Sequence, residues 1–171
     1  MNKLDGYAGK LLRVDLTNEK ITDEQLDEET ARKYIGGTGL GAKYLFEEIT
    51  AETGCFDENN CMIIASGPLG GTKVGGSGTV SVVTKGALSN GAVATQSNGY
   101  FGAFLRFSGY DGIVVHGKAK KWVYLHIHSG GAELRDASAL LGKDTWETSE
   151  TIKDEFKKND RGMSVASIGI A

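Results

Sequence analysis

The sequence carries no excess of positive charge: 19 lysines and arginines stand against 22 aspartates and glutamates, a formal net charge of −3. Without a basic stripe there is no electrostatic footprint for a nucleic-acid backbone. Long apolar runs are also missing, and the longest fall far short of the roughly 20 residues that a membrane-spanning helix needs. The opening residues, Met-Asn-Lys-Leu-Asp-Gly-Tyr-Ala-Gly-Lys, lack the apolar centre of a signal peptide, so the cytoplasm is the expected compartment and reduced thiols are expected with it. Cysteine is scarce. Cys55 and Cys61 flank Phe-Asp-Glu-Asn-Asn, with no second Cys or His pair nearby to complete a tetrahedral metal site. His126 and His128 form a His-x-His that lacks a third ligand. The P-loop pattern and a Gly-x-Gly-x-x-Gly joining a strand directly to a helix are both absent. No close Ser/His/Asp or Cys/His arrangement and no acid–base carboxylate pair can be assigned. No residue is therefore assigned as catalytic.

Glycine is what the chain has in abundance. Thirteen of its 25 glycines lie between Gly67 and Gly117, most densely in Gly67-Pro-Leu-Gly-Gly-Thr-Lys-Val-Gly-Gly-Ser-Gly-Thr79. Glycine accepts positive φ and lets a ligand approach peptide N–H groups, at a cost in chain entropy. Two readings follow: tight turns in a β-rich domain, or a backbone surface laid against a large or anionic ligand. Lys73 and Lys85 are candidate phosphate partners in the second reading and solvated loop lysines in the first. At 171 residues and 40% hydrophobic content, one domain is expected.

Patterning supplies the elements. Leu11 to Leu16 alternates like a strand, Thr17 to Lys20 turns, and Ile21 to Leu26 returns as a hairpin. Asp27 to Ile49 is helical with a break at Gly36-Gly-Thr-Gly39, and Cys61 to Ala65 is a short buried strand. Val80 to Thr84 is a further strand. Gln96 to Phe107 reads as a helix capped by Ser97 or Asn98, with Phe101, Phe104, Leu105 and Phe107 inward and its N-terminal N–H groups open to an anion. The order then recurs: strand Trp122 to His128, turn, return strand Ala132 to Arg135, helix Lys143 to Lys157, and a short buried strand Met163 to Ile168. In the strand ending at His128, Val123, Leu125 and Ile127 are expected on the core face. The fold class is α+β, built from two related repeats of hairpin, helix and strand. The glycine-rich loop follows the first repeat, while Ala171 follows the second, so a fragment of a longer chain is expected.

Gly9-Lys-Leu-Leu-Arg-Val-Asp-Leu-Thr17, Tyr34-Ile-Gly-Gly-Thr-Gly-Leu40, Ala65-Ser-Gly-Pro-Leu-Gly-Gly-Thr72, Val82-Val-Thr-Lys85, Ser97-Asn-Gly-Tyr-Phe-Gly102 and Phe107-Ser-Gly-Tyr-Asp-Gly-Ile-Val-Val115 occur in one collinear order. Together with Arg135-Asp-Ala-Ser138, Gly142-Lys143 and Ala166-Ser-Ile-Gly169, this order resembles the N-terminal domain of the tungsten-containing aldehyde ferredoxin oxidoreductases. The resemblance covers essentially all of residues 1–171. It implies a β-rich, saddle-like base under a bis-pyranopterin cofactor of tungsten (or molybdenum), with Mg²⁺ bridging the pterin phosphates. It also implies oxidation of a small aldehyde to a carboxylic acid, with electrons passing through a [4Fe–4S] cluster to ferredoxin. The implied cofactor-binding residues are Gly76, Thr79, Gln96, Ser97, Asn98 and Gly99, with the backbone carbonyl of Gln96 toward Mg²⁺. Thr79 stands where the family has an arginine. The cluster ligands and the C-terminal helical domains are implied to lie outside this chain, which alone would be inactive. A cofactor-free interaction module and one subunit of a split enzyme are the alternatives, and an oligomer is compatible with each.

Overall fold

The alternation read in the first strand becomes the centre of a six-stranded sheet. The computed structural model describes residues 5–170. Strands β1 (Lys10–Asp15) and β2 (Lys20–Gln25) form the expected hairpin, with Leu11 opposite Glu24 and Val14 opposite Ile21. Strands β3 (Cys61–Ser66), β4 (Val80–Lys85), β5 (Ala92–Ser97) and β6 (Gly112–His116) complete the order β2-β1-β6-β3-β4-β5. Among the described residues only the β1–β6 pairing of this sheet is parallel. A separate hairpin, β7 (Val123–His128) with β8 (Gly131–Asp136), makes a second small sheet.

The two faces of the large sheet bury different partners. Helices α1 (Glu28–Tyr34) and α2 (Gly37–Glu48) cover one face, where Leu11, Ile63, Val83 and Val114 meet Ala31, Leu40, Tyr44 and Leu45. On the opposite face Leu12, Val14 and Ile113 meet Leu105 and Tyr110, and Leu125, Ile127, Ala132 and Leu134 of the hairpin pack against them. The aliphatic face expected for β7 is thus the inner one. On its outer face His126 stacks on Phe156 at 4.1 Å between ring centres and meets Glu133 at 3.1 Å. Fully burying a side chain such as Ile63 contributes about 1.5–3 kcal/mol, so these two layers carry most of the stability.

Helix ends follow local chemistry. Asp27 caps α1 by accepting the Thr30 N–H at 2.8 Å, and Asp144 with Glu147 forms a reciprocal capping box on α4 (Thr145–Glu155). The break expected in the helical stretch is present: α1 ends at Tyr34 and α2 begins at Gly37, so the second helix resumes inside the glycine run. A Cβ on Gly36 would stand 2.6 Å from the Ser66 carbonyl oxygen, and one on Gly41 would stand 2.4 Å from Val83 Cγ2. These glycines also let α2 lie directly on β3 and β4.

Three expectations are corrected. Residues 92–97 are a strand, so the expected helix from Gln96 is shorter: α3 spans Phe101–Phe107 and starts at Tyr100 with no side-chain cap. Ser97 lies in β5, and Asn98 Oδ1 accepts the Gly99 N–H at 3.0 Å instead of capping the helix. Phe107 is exposed, although Leu105 is buried as expected. Residues 163–168 form no strand and are partly or fully exposed, so the second repeat shows its hairpin and helix without the closing strand. The fold class is nevertheless α+β, with a six-stranded mixed sheet. No helix among the described residues is long and apolar enough to cross a membrane.

Cys61 is buried, and burial pushes its thiol up to about 11. The neutral form is the one the fold favours. That contribution to stability is present below the ordinary value near 9 and is lost as pH rises from about 9 to about 11. At neutral pH a thiol reagent is expected to label the half-buried Cys55 in the folded protein and Cys61 only on unfolding. Equal labelling rates in the absence of denaturant would contradict this placement.

Candidate cofactor site

The loop from Gly67 to Thr79 leaves β3 and lies over the start of α3. Close approach explains its composition. A Cβ on Gly78 would stand 2.0 Å from the Gly99 carbonyl oxygen, and one on Gly70 would stand 2.2 Å from Ser66 Oγ. Gly71 and Gly76 have φ of +76° and +79°, in the left-handed region. Ser66 Oγ is buried beneath this loop with no hydrogen-bond partner among the described residues.

Two open clefts flank the ridge formed by Asn98, Gly99 and Tyr100. The first, of about 630 Å³, runs between the glycine loop, from Gly71 to Gly78, and Ala103 and Phe107 of α3. The second, of about 550 Å³, lies between the ridge and the start of α4, with Trp146 and Ser149 on its far side and residues 164–167 along its rim. Gly78, Asn98, Gly99 and Tyr100 line both. Among the described residues, no Asp, Glu, Lys or Arg lines either cleft. What they offer is hydroxyls, one carboxamide, backbone and three exposed aromatic rings, Tyr100, Phe107 and Trp146.

The cleft walls are anchored from below. Asp111 is buried, accepts the N–H groups of Ala8 and Gly9 at 3.0 and 2.7 Å, and pairs with Arg106 of α3. Arg106 also donates to the Gly6 carbonyl at 2.6 Å. A Cβ on Gly6 would meet Pro68, and one on Gly70 would meet Arg106 Cγ. One buried ion pair therefore ties the N-terminal segment, the base of the glycine loop and α3 together.

Of the residues expected from sequence, Gly76, Asn98 and Gly99 line the first cleft, and Ser97, Asn98 and Gly99 line the second. Thr79 and Gln96 line neither. The Thr79 hydroxyl donates back to the Gly76 carbonyl at 3.3 Å, and Gln96 sits on β5 opposite Ser81. Lys85 is not available as a phosphate partner: its ammonium is buried and donates to the carbonyls of Thr50, Ala51 and Thr53. Tyr100, Trp146 and residues 164–167 were not legible as site residues. An aromatic residue directly after a glycine, Gly99, was the available signal for Tyr100, and the others come to the site only through tertiary packing.

The family profile described as aldehyde ferredoxin oxidoreductase, N-terminal domain, matches residues 11–171. The chain belongs to this family. It is 42% identical over 166 residues to the tungsten-containing aldehyde ferredoxin oxidoreductase of Pyrococcus abyssi, a match that covers 97% of this chain and 27% of the relative. It is 39% identical over 158 residues to the aliphatic sulfonate oxidoreductase WOR-like subunit of Pyrococcus furiosus, covering 91% of this chain and 25% of that one. Among solved structures, the active-site complex BamBC of benzoyl coenzyme A reductase with 1,5-dienoyl-CoA superposes with a TM-score of 0.87 at 35% identity. That match covers 90% of this chain and 23% of the other. The chain thus spans about a quarter of the length of these relatives.

Proposed function

We propose that this chain forms one wall of a tungsten pyranopterin site in an aldehyde-oxidising enzyme. The observation that carries the reading is the shared Asn98–Gly99–Tyr100 ridge, with clefts on both sides and no charged side chain among the described residues of either lining. A doubly phosphorylated planar ligand needs close backbone approach and neutral donors, and a carboxylate in the lining would repel it. Gly76, Ser97, Asn98 and Gly99 are the residues assigned to hold it, with Thr72, Ser77 and Tyr100 added from the structure. The Gln96 carbonyl remains the assigned Mg²⁺ ligand, a role that depends on backbone alone. When bound, the cofactor supplies the redox chemistry that turns an aldehyde and water into a carboxylic acid, with ferredoxin as the electron acceptor. This chain's part is to seat it, orient it and exclude water.

The relatives are named for different substrates. Proteins named for aldehydes, aliphatic sulfonates and benzoyl coenzyme A resemble this chain at 42%, 39% and 35% identity. A domain common to three substrate classes serves what they share, and substrate choice is assigned to the rest of the polypeptide. The cluster ligands are assigned there too, since Cys55 and Cys61 line neither cleft.

The experiment is tungsten analysis of the complete polypeptide from cells supplied with tungstate, paired with a Thr79→Arg variant. Stoichiometric tungsten is expected in both. Thr79→Arg is expected to slow cofactor loss, because a charge-assisted hydrogen bond contributes about 1.5–3 kcal/mol where a neutral one gives about 1, less at a half-exposed position. A wild type free of tungsten and indifferent to the substitution would instead support a module that has lost its cofactor, as the Thr79 hydroxyl, bonded back to the Gly76 carbonyl, permits.

A further inference from the structure

We infer that Asn98–Gly99 is a site of spontaneous covalent modification, deamidation through a succinimide, placed on the ridge between the two clefts. The reaction needs an exposed asparagine, a following residue without a side chain, and a backbone nitrogen free to reach the carboxamide carbon. All three are met here. Asn98 and Gly99 are exposed, and the Gly99 nitrogen lies 3.0 Å from Asn98 Oδ1, which is bonded to the carbon to be attacked. A Cβ on Gly99 would have nothing within 4 Å, so the five-membered ring has space to form. Gly78 clears the other side, where even a Cβ would crowd Asn98 Oδ1 at 3.2 Å.

The step balances with water as its only co-reactant. The Gly99 nitrogen gives up its proton and bonds to Asn98 Cγ, while the carboxamide nitrogen departs as ammonia. Water then opens the ring at either carbonyl and leaves aspartate or isoaspartate. Isoaspartate inserts an extra methylene into the main chain of the ridge, and both products add a negative charge. On the proposed function, that charge arrives in a lining to which no described residue contributes a carboxylate, and it opposes a phosphate. The same cradle that admits an anion is thus open to a change that ends its use.

The chain contains its own control. Asn90–Gly91 is the same dipeptide, also on the surface, but its groups are held. Asn90 Oδ1 accepts the Cys55 N–H at 3.0 Å, the Gly91 N–H donates to Ser89 Oγ at 3.3 Å, and Asn90 itself is fixed at φ +50°. Its main-chain N–H donates to the Gly86 carbonyl at 3.0 Å, and the Gly91 carbonyl accepts the Gly86 N–H at 2.8 Å. Succinimide formation there would have to break this turn.

The test is timed peptide mapping of the complete polypeptide in mildly alkaline buffer, with isoaspartate resolved from aspartate. Both asparagines fall on one tryptic peptide between Lys85 and Arg106, and fragment ions tell them apart. In the folded protein Asn98 is expected to convert about tenfold or more faster than Asn90, equivalent to about 1.4 kcal/mol in barrier. In denaturant the two rates should converge, and Asn98→Gln should abolish conversion at its own position while leaving Asn90 as before. Equal rates in the folded protein, or faster conversion at Asn90, would overturn the inference. So would an intact Asn98 in the folded protein when the denatured control converts. Metal-free protein suffices for this map, so a failure of the cofactor reading leaves it unchanged. Tungsten-loaded protein should convert more slowly if the ridge is covered.

Discussion

Replacing Asp111 with Ala is expected to lower the unfolding free energy by about 3–5 kcal/mol, the loss found when one partner of a buried ion pair is removed. Asp111 is 3% exposed and Arg106 11% exposed at their side chains, so neither charge has water to fall back on. The substitution strands the guanidinium and leaves the Ala8 and Gly9 N–H groups without their acceptor. Urea unfolding with an unchanged slope would show the loss directly as a lower midpoint. Asp111→Asn should fall between, since it keeps one acceptor oxygen and loses the charge. Removing both charges together, Asp111→Leu with Arg106→Met, is expected to recover part of the loss, because a buried pair is costly to break and far less costly to replace. A midpoint shift worth less than about 1 kcal/mol for Asp111→Ala would mean that the pair does not anchor the N-terminal segment as the contacts indicate.

Gly78→Ala carries the second large effect, and it falls on the site. The added methyl would stand 2.0 Å from the Gly99 carbonyl oxygen and 3.1 Å from the Gly99 carbonyl carbon, both main-chain atoms that cannot rotate away. The loop or the ridge must move. Relieving such overpacking costs about 1–3 kcal/mol, and if the cofactor holds the ridge in its original place the strain returns on binding. Cofactor loss should then be about 10- to 100-fold faster in the complete polypeptide. Gly75→Ala in the same loop is the control: its Cβ would meet nothing within 4 Å, and stability should be unchanged or slightly raised. Equal retention in the two variants would show that the contact between Gly78 and Gly99 does not shape the binding surface.

The parts of the fold that sequence revealed are those in which one face is buried and the other is not. β1 alternates because Leu12 and Val14 face the hairpin side while Leu11 and Arg13 face the helices, and that period is visible in the residues. β5 shows the opposite case. All six of its residues are exposed and neither face carries an apolar period, so the sequence shows no strand there, and Gln96 and Ser97 read as the start of a helix. Met163 to Ile168 failed in the other direction, since β-branched residues and alternation suggested a strand where none forms. At the site, the glycine loop was legible because backbone crowding leaves a mark in composition. The Thr79 and Gln96 positions came from family resemblance and line neither cleft. Trp146 and residues 164–167 reach the second cleft from the far end of the chain, a proximity that no local pattern encodes.

The central claim is that the glycine loop and the ridge are the surface the cofactor covers. Amide hydrogen exchange of the complete polypeptide, compared with and without tungsten cofactor, measures this most directly. Protection on loading is predicted in residues 71–79 and 97–100, with the charged edge strand β2 unchanged on the far side of the sheet. Protection that appears elsewhere while both of these segments exchange at the same rate in the two states would contradict the assignment.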